Sequence, residues 1–154
     1  MYKKILVPLD GSEFAERSLE HVKAIARGCS VPEVVLIGVV EPVQQAGELT
    51  MVLGSDWNVK VEKEALDWLK IYLANIAGKL GGEGVTAKTA IARGKAADEI
   101  LDYAAKSKAD LIVMTTHGRS GLARWAMGSV ADRIVRHAQV PVLLIASHGD
   151  RGGS

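Results

Sequence analysis

Cysteine is nearly absent from this chain, and its scarcity excludes two classes of site. The sequence contains one cysteine, Cys29, which has no partner within the chain for a disulfide and cannot build a cysteine-rich zinc site. The four histidines show no spacing typical of metal ligands: they are His21, His117, His137 and His148. The sequence therefore predicts no metal site formed by the protein alone.

Net charge and long apolar runs are also lacking. Nineteen Lys and Arg residues balance 18 Asp and Glu residues, for a formal charge of +1, so there is no basic field to attract nucleic acid. No apolar run approaches the roughly 20 residues of a membrane-spanning helix. Lys3 and Lys4 precede too short an apolar run for a signal peptide. We therefore predict a cytoplasmic protein that has neither nucleic acid nor a membrane as a partner.

What the chain does contain is ordinary globular composition. Apolar residues make up 48% of the 154 residues and charged residues 24%, which suits one domain with a proper hydrophobic core. We predict that residues 1–147 form this domain. Residues 148–154 are polar and rich in glycine, and we predict that they form a flexible C-terminal tail.

Five segments are predicted to be strands. Four of them, residues 5–9, 34–40, 111–114 and 140–146, are short and nearly continuous apolar runs, which is typical of strands buried on both faces. The fifth, residues 85–92, alternates apolar with more polar side chains. Such alternation indicates a half-exposed strand at the edge of a sheet.

Helical patterns separate these strands. The first helix starts at the N-cap Ser12, and the second is a long amphipathic stretch from Trp57 to Leu80. The third follows Gly94, and the last begins at Gly128-Ser129. We interpret the two tryptophans of the long helix, Trp57 and Trp68, as core or dimer packing.

The alternation of strands and helices predicts the fold class. Right-handed crossovers between consecutive strands require an open, five-stranded parallel α/β sheet with helices on both faces. Ligands of such sheets bind outside the carboxyl ends of the strands, at the point where the strand order reverses. Asp10, residues 39–41 and residues 115–118 follow strand ends in the sequence, so we expect them to converge on one crevice.

The segment from Asp110 to Arg136 carries the best candidate ligand site. A strand, a loop containing Gly118 and a helix start at Gly128 would present backbone N–H groups and the positive end of a helix dipole to an anion. Ser129 could cap the helix or donate to phosphate, and Arg119 adds positive charge. The loop alone is equally compatible with glycines that only turn the chain. The convergence of strand ends favours the phosphate site.

Two side chains near this crevice have open roles. Asp10 could accept a hydrogen bond from a ribose hydroxyl or contact a metal-bound water, but an Asp-Gly pair is also typical of a simple turn. His117 could contact a ligand through its imidazole, or it could orient the loop by a hydrogen bond to the backbone.

Motifs of several enzyme classes are missing. Gly94-Lys95-Ala96 lacks the first glycine and the hydroxyl of a P-loop. No dinucleotide fingerprint follows the first strand, and no hydrolase nucleophile elbow is present. Because no nucleophile, base and orienting group assemble, we predict no catalytic residues and favour a binding protein over an enzyme.

Three motifs together resemble the universal stress protein family over essentially the whole chain. Residues 5–12 resemble its opening strand and turn, and residues 140–145 resemble its dimer-forming last strand. Residues 114–118, followed by nine residues and Gly128-Ser129, resemble its ATP-binding signature, Gly-x2-Gly-x9-Gly-Ser/Thr. One position departs from that signature, because Thr115 replaces the first glycine. Its side chain could crowd the ribose or the α-phosphate, or its hydroxyl could replace a lost contact.

The resemblance implies a Rossmann-like fold of the adenine nucleotide alpha hydrolase type with strand order 3-2-1-4-5. It implies contacts to adenine and ribose from Pro8, Leu9, Asp10 and Val39. We add Met114, next to the signature, to the cofactor-binding residues. The phosphate contacts that the resemblance implies are Thr115, His117, Gly118, Arg119, Gly128, Ser129 and Val130.

The resemblance also implies ATP as the ligand and a homodimer formed through Val142, Leu143, Leu144 and Ile145. We expect Mg²⁺ to accompany the ATP, held by its phosphates, and Asp10 is a candidate contact to it. We therefore predict an ATP-binding, homodimeric switch or stress-response factor without fast catalysis. One alternative is a slow ATPase or adenylate-processing enzyme. Another is a dimeric interaction protein that binds AMP, cyclic AMP or no nucleotide. No downstream protein partner is predicted.

Overall fold

The computed structural model describes residues 1–42, 47–117 and 127–146, without the side chains of residues 47–55. The predicted tail, residues 148–154, lies outside this range. The strands are β1 (Lys4–Pro8), β2 (Glu33–Val40), β3 (Ala87–Arg93), β4 (Leu111–Thr115) and β5 (Val142–Ile145). The helices are α1 (Glu13–Glu16), α2 (Ser18–Gly28), α3 (Gly47–Gly82), α4 (Ala96–Ser107) and α5 (Ser129–His137).

The strands form one five-stranded sheet in the order β3-β2-β1-β4-β5. Every pairing is parallel, and Ile5 of β1 lies opposite Val34 of β2 and Leu111 of β4. The predicted fold class and strand order are confirmed. From β1 the chain builds the sheet first toward β2 and later toward β4, so the switch point lies at the carboxyl ends of β1 and β4.

Helices cover both faces of the sheet, which explains the continuous apolar runs. Leu36 of β2 packs with Leu73 of α3 in one buried cluster. Leu6 of β1 packs with Ile134 of α5 in the other cluster, on the opposite face. Consecutive residues of a strand alternate between the faces, so a strand that is covered on both sides must be apolar throughout.

The helices differ from the prediction in two places. The first predicted helix is divided at Arg17, next to Ser18, which is fully buried and whose hydroxyl donates to the Ala15 carbonyl at 2.7 Å. Such a bond from a side chain back to the backbone competes with regular helix hydrogen bonding. The long helix begins at Gly47, ten residues before Trp57. Glycine within a helix costs only about 1 kcal/mol, so Gly54 does not prevent this extension.

The two edges of the sheet are β3 and β5. The edge position predicted for residues 85–92 is thus confirmed, and β3 carries the exposed side chains Lys88, Thr89 and Arg93. Among the described helices, none is both long and apolar enough to cross a lipid bilayer.

Candidate functional site

The chain leaves β1 in a turn that Asp10 stabilises. The Asp10 Oδ1 atom accepts hydrogen bonds from the Ser12 N–H at 2.9 Å and from the Ser12 hydroxyl at 2.6 Å. The Ser12 Oγ atom accepts in turn from the Ala15 N–H at 3.1 Å and so caps α1, as predicted. Gly11 has φ of 87°, which side chains disfavour. Asp10 therefore has the structural role of an Asp-Gly turn residue.

Side-chain hydrogen bonds hold the chain as it leaves β4. Thr115 is buried, and its hydroxyl donates to the His117 carbonyl at 2.8 Å. The Thr116 hydroxyl lies 3.1 Å from the His117 Nδ1 atom. The Thr116 N–H donates to the Ile145 carbonyl of β5 at 3.0 Å. The Thr115 hydroxyl thus supports the turn, and the Thr116 hydroxyl lies where it can orient the His117 ring.

Gly128 brings the far end of this loop back to β4. Its N–H donates to the Thr116 carbonyl at 2.8 Å, and a Cβ atom at this position would lie 3.0 Å from the same oxygen. The sequence suggests that Gly128 makes room for ligand oxygens. The oxygen that it approaches in the structure belongs to Thr116.

Helix α5 starts immediately after this contact. Gly128 is its N-cap residue and no side chain caps the helix, so the capping role considered for Ser129 is wrong. The Asp132 N–H donates to the Gly128 carbonyl at 2.9 Å, which is the first bond of the helix. The preceding N–H groups of Ser129, Val130 and Ala131 have no acceptor within the helix. They form a donor-rich end where the helix dipole favours an anion.

A cavity of about 720 Å³ lies at the carboxyl ends of β1, β2 and β4, a volume typical of small-molecule sites. The predicted site residues that line it are Pro8, Leu9, Asp10, Val39, Met114, Thr115, His117, Gly128, Ser129 and Val130. The predicted contacts Gly118 and Arg119 lie outside the described residues. The structure therefore brings together every predicted site residue that it describes.

The two ends of this cavity differ chemically. At the β4 end, the wall consists of the Thr115–His117 turn and the first turn of α5. At the β2 end, the wall is mainly apolar: Ile37, Val39, Val40, Ala65, Trp68, Leu69, Ala96 and Ile100. The Glu41 carboxylate also lies at this end, where its Oε1 atom accepts from the Ala96 N–H at 3.1 Å. The cavity thus suits a ligand with an apolar part and an anionic part.

Trp68 and Glu41 are cavity residues that the predicted contacts do not include. Trp68 is interpreted from the sequence as core or dimer packing, but it lines the cavity and is 49% exposed, so the core interpretation is wrong. Trp57 is also outside the core, at 39% exposed. Glu41 belongs to residues 39–41, which the sequence predicts at the crevice, and the structure places it there, although it is not among the predicted contacts. For Trp68, no local sequence signal distinguishes a cavity-lining position from a packing position.

Neither carboxylate of the cavity wall is part of a protein metal site. Within residues 1–42, 47–117 and 127–146, no group of three or more His, Cys, Asp and Glu side chains could hold a metal ion. Asp10 and Glu41 line the cavity singly, and each accepts hydrogen bonds from neighbouring donors.

Tyr72 places a buried phenol beside this region. Its ring stacks on Trp68 with centroids 5.2 Å apart and an angle of 6° between the planes. Its hydroxyl is buried, and no described residue meets hydrogen-bond geometry with it, although the Glu16 carboxylate lies close by. Burial and the negative charges of Glu16 and Asp10 raise the pKa of this phenol.

This raised pKa predicts a loss of stability at alkaline pH. Folded Tyr72 holds its proton more tightly than the unfolded chain does, so its contribution is complete below the pKa of unfolded tyrosine, about 10. The contribution falls as the pH rises above that value. We expect the unfolding free energy of Tyr72→Phe to decline less steeply with pH than that of the wild type above pH ~10. Urea unfolding across this range measures it, and identical slopes would contradict the assignment.

Comparison with known proteins agrees with this geometry. The sequence model of the Universal stress protein family matches residues 1–146 of this chain. The chain belongs to the universal stress protein family. This universal stress protein is 36% identical to Universal stress protein MJ0531 of Methanocaldococcus jannaschii, over 94% of this chain and 82% of that one. It is 30% identical to Universal stress protein MJ0577 of the same organism, over 94% and 95% of the two chains.

The fold of this chain is also similar to those of solved structures. The structure of MJ0577 superposes with a TM-score of 0.82 at 31% identity, covering 97% of this chain and 99% of that one. Two more distant members of the fold contain nucleotides. A universal stress protein family protein from Arabidopsis thaliana was solved with AMP bound, at a TM-score of 0.64 and 21% identity over 99% and 97% of the chains. Another universal stress protein was solved with cAMP, at a TM-score of 0.60 and 20% identity over 96% and 98%.

Proposed function

We propose that this universal stress protein binds an adenine nucleotide, foremost ATP, and acts as a nucleotide-dependent homodimeric switch or stress-response factor. One observation carries this proposal: residues from three separate strand ends and from the start of α5 line a single cavity at the switch point of the sheet. Nucleotides in related folds, AMP in one protein and cAMP in another, support the ligand class.

The phosphates would lie at the β4 end of the cavity. The first-turn N–H groups of α5 and the Ser129 hydroxyl are donors there, and the helix dipole adds positive potential. The family signature places Gly118 and Arg119 in the same loop. Charge-assisted hydrogen bonds of this kind are about twice as strong as those between neutral groups. The end that meets the phosphates would therefore supply much of the affinity.

The base and ribose would occupy the rest of the cavity. Pro8, Leu9 and Val39 would provide apolar and backbone contacts. The Asp10 carboxylate would accept a hydrogen bond from a ribose hydroxyl in addition to the bonds from Ser12. Mg²⁺ bound to the phosphates would neutralise part of their charge. Asp10 is the group that we propose to contact it or one of its waters.

The site offers little for catalysis. A hydrolase would need a base aimed at an attacking water, and the sequence contains no recognisable set of nucleophile, base and orienting group. We therefore propose a protein that holds its nucleotide for longer than a typical enzyme would. The cytoplasmic location predicted from the sequence belongs to the same proposal, because ATP is present there.

Isothermal titration of the nucleotide-free protein with ATP, AMP and cyclic AMP tests the ligand. We expect one ATP per chain and phosphate release far below the ~1–10³ s⁻¹ of typical enzymes. Mass spectrometry of the denatured protein identifies any nucleotide that co-purifies. Enzymatic rates of ATP turnover would favour an ATP-hydrolysing enzyme over a switch. No heat of binding with any of the three nucleotides would leave an interaction protein as the better interpretation.

The edge strand β5 is where we propose that two chains pair. The Ile112 N–H donates to the Pro141 carbonyl, and the Thr116 N–H donates to the Ile145 carbonyl. Since alternate residues of a parallel strand bond to opposite neighbours, the backbones of Val142 and Leu144 face outward. They can pair with a second copy of β5 in antiparallel fashion about a two-fold axis.

The side chains of β5 refine which residue would face the partner. Leu144 packs against the buried cluster shared with α4 and α5, whereas Leu143 is 37% exposed. A lysine at position 144 would place a charge against the core and so disturb the fold as well as the dimer. Leu143 is therefore the better position at which to test the pairing.

A further inference from the structure

Close packing of α3 on β2 fixes one wall of the cavity. A Cβ atom on Gly38 would lie 2.6 Å from the Leu69 Cδ2 atom, so the absence of a side chain in β2 lets Leu69 sit directly on the strand. Leu69 is 5% exposed and belongs to the hydrophobic core. This contact sets both the distance of α3 from the sheet and its rotation about its own axis.

The rotation determines where Trp68 points. Trp68 precedes Leu69 in the helix, so its side chain projects about 100° away from the buried direction, and it lines the cavity. Tyr72 lies four residues later on the same face of the helix and stacks nearly parallel on the indole. The hydroxyl end of Tyr72 is buried near Glu16 of α1. The indole is therefore held on a rigid support although it is half-exposed.

The position of Trp68 matches the base end of a bound nucleotide. The donors for phosphate come from β4 and α5, on one side of β1, whereas α3 packs over β2 and β3 on the other side. Neighbouring strands are about 4.8 Å apart, so the two ends of the cavity are separated by roughly 10 Å. Ala65 and Leu69 extend the apolar wall beside the indole.

We propose that Trp68 contacts the base of the bound nucleotide and forms an aromatic wall that discriminates nucleotides from simple phosphates. This inference rests on the proposed nucleotide binding and adds a residue to it. Aromatic bases gain affinity from an indole that is already ordered, because no side-chain entropy is lost on binding. A ligand without a base would gain nothing from this wall.

Titrations of Trp68→Ala and Trp68→Leu with ATP, adenosine and inorganic tripolyphosphate test the proposal. Base stacking on an aromatic residue is worth roughly 5- to 150-fold in affinity by alanine substitution. We expect both variants to bind ATP and adenosine more weakly within that range and to keep the wild-type affinity for tripolyphosphate. Trp68→Phe should recover most of the loss. Tyr72→Phe keeps the stacked ring and should bind ATP like the wild type.

A fluorescence measurement provides a second readout. In a variant carrying Trp57→Phe and Trp125→Phe, Trp68 is the sole tryptophan, and ATP and adenosine should change its emission while tripolyphosphate should not. Equal affinity of wild type and Trp68→Ala for adenosine would overturn the inference, and so would an equal loss for tripolyphosphate, which indicates a general structural defect. Failure of the wild type to bind any nucleotide would instead contradict the proposed function.

Discussion

Replacing Gly128 by valine should abolish nucleotide binding, and replacing it by alanine should weaken binding by about tenfold or more, equivalent to about 1.4 kcal/mol. The first added carbon would lie 3.0 Å from the Thr116 carbonyl oxygen. That oxygen cannot simply withdraw, because the Thr116 N–H is bonded to the Ile145 carbonyl of β5. The start of α5 must therefore move away from β4, and the donors for phosphate move with it. The two methyl groups of valine enlarge this displacement.

The control for the Gly128 variants is a glycine whose replacement leaves the packing around it unchanged. A Cβ atom added to Gly78 in α3 would have nothing within 4 Å, so Gly78→Ala makes the same chemical change in open space. We expect its ATP affinity to equal that of the wild type, and its helix to be slightly stabilised. Isothermal titration measures the ATP affinity of each variant, and circular dichroism verifies that each is folded. Wild-type affinity in folded Gly128→Val would show that the α5 start is not part of the binding site.

Much of the fold was predictable because its strands are buried on both faces. The runs that became β1, β2 and β4 are apolar at consecutive positions, a pattern that few solvent-exposed segments show. The start of α3 was not predictable in the same way. Gly47 and Gly54 have the composition of a loop, and only summed helix propensity argues for the helix that the structure contains.

Some residues of the candidate site were likewise predictable from the sequence, and others were not. Asp10, Val39 and Thr115 were predicted because parallel strands end at the same edge, so residues at those ends converge whatever the details of packing. Trp68 comes from within a helix, and its direction depends on the contact between Leu69 and Gly38. Such a contact joins residues far apart in sequence, and no local pattern encodes it.

The orientation of the β5 side chains was also not predictable from the sequence. Val142, Leu143, Leu144 and Ile145 are all apolar, so the sequence contains no alternation that distinguishes an inward from an outward side chain. In the structure, the two faces of β5 are covered to different extents. Leu144 packs against a buried cluster, whereas Leu143 is 37% exposed. Leu143, rather than Leu144, is therefore the position at which to test the dimer.

Replacing Leu143 by lysine should convert the proposed dimer into a monomer. The change would place a flexible, charged side chain beside the outward-facing backbone of β5. Charged side chains, lysine above all, are a common means of blocking edge-to-edge pairing in natural sheets. The side chain that it replaces is already 37% exposed, so the lysine ammonium can reach water in the monomer and the fold should tolerate it. In the dimer, two-fold symmetry would bring a second lysine to the same paired edge, and the two like charges would oppose pairing.

Val59→Lys is the matched control, because Val59 is 66% exposed and lies beside Ile91 and Ala92, at the opposite edge of the sheet. Light scattering after size-exclusion chromatography at micromolar concentration should give a dimer mass for the wild type and for Val59→Lys, and a monomer mass for Leu143→Lys. We expect the Leu143→Lys dimer to dissociate at least about a hundredfold more readily, about 2.7 kcal/mol, since two-fold symmetry brings two new charges to one paired edge. A dimer mass for folded Leu143→Lys would place the interface elsewhere. A monomeric wild type would exclude the homodimer itself, and the nucleotide titrations would then test the cavity within a single chain.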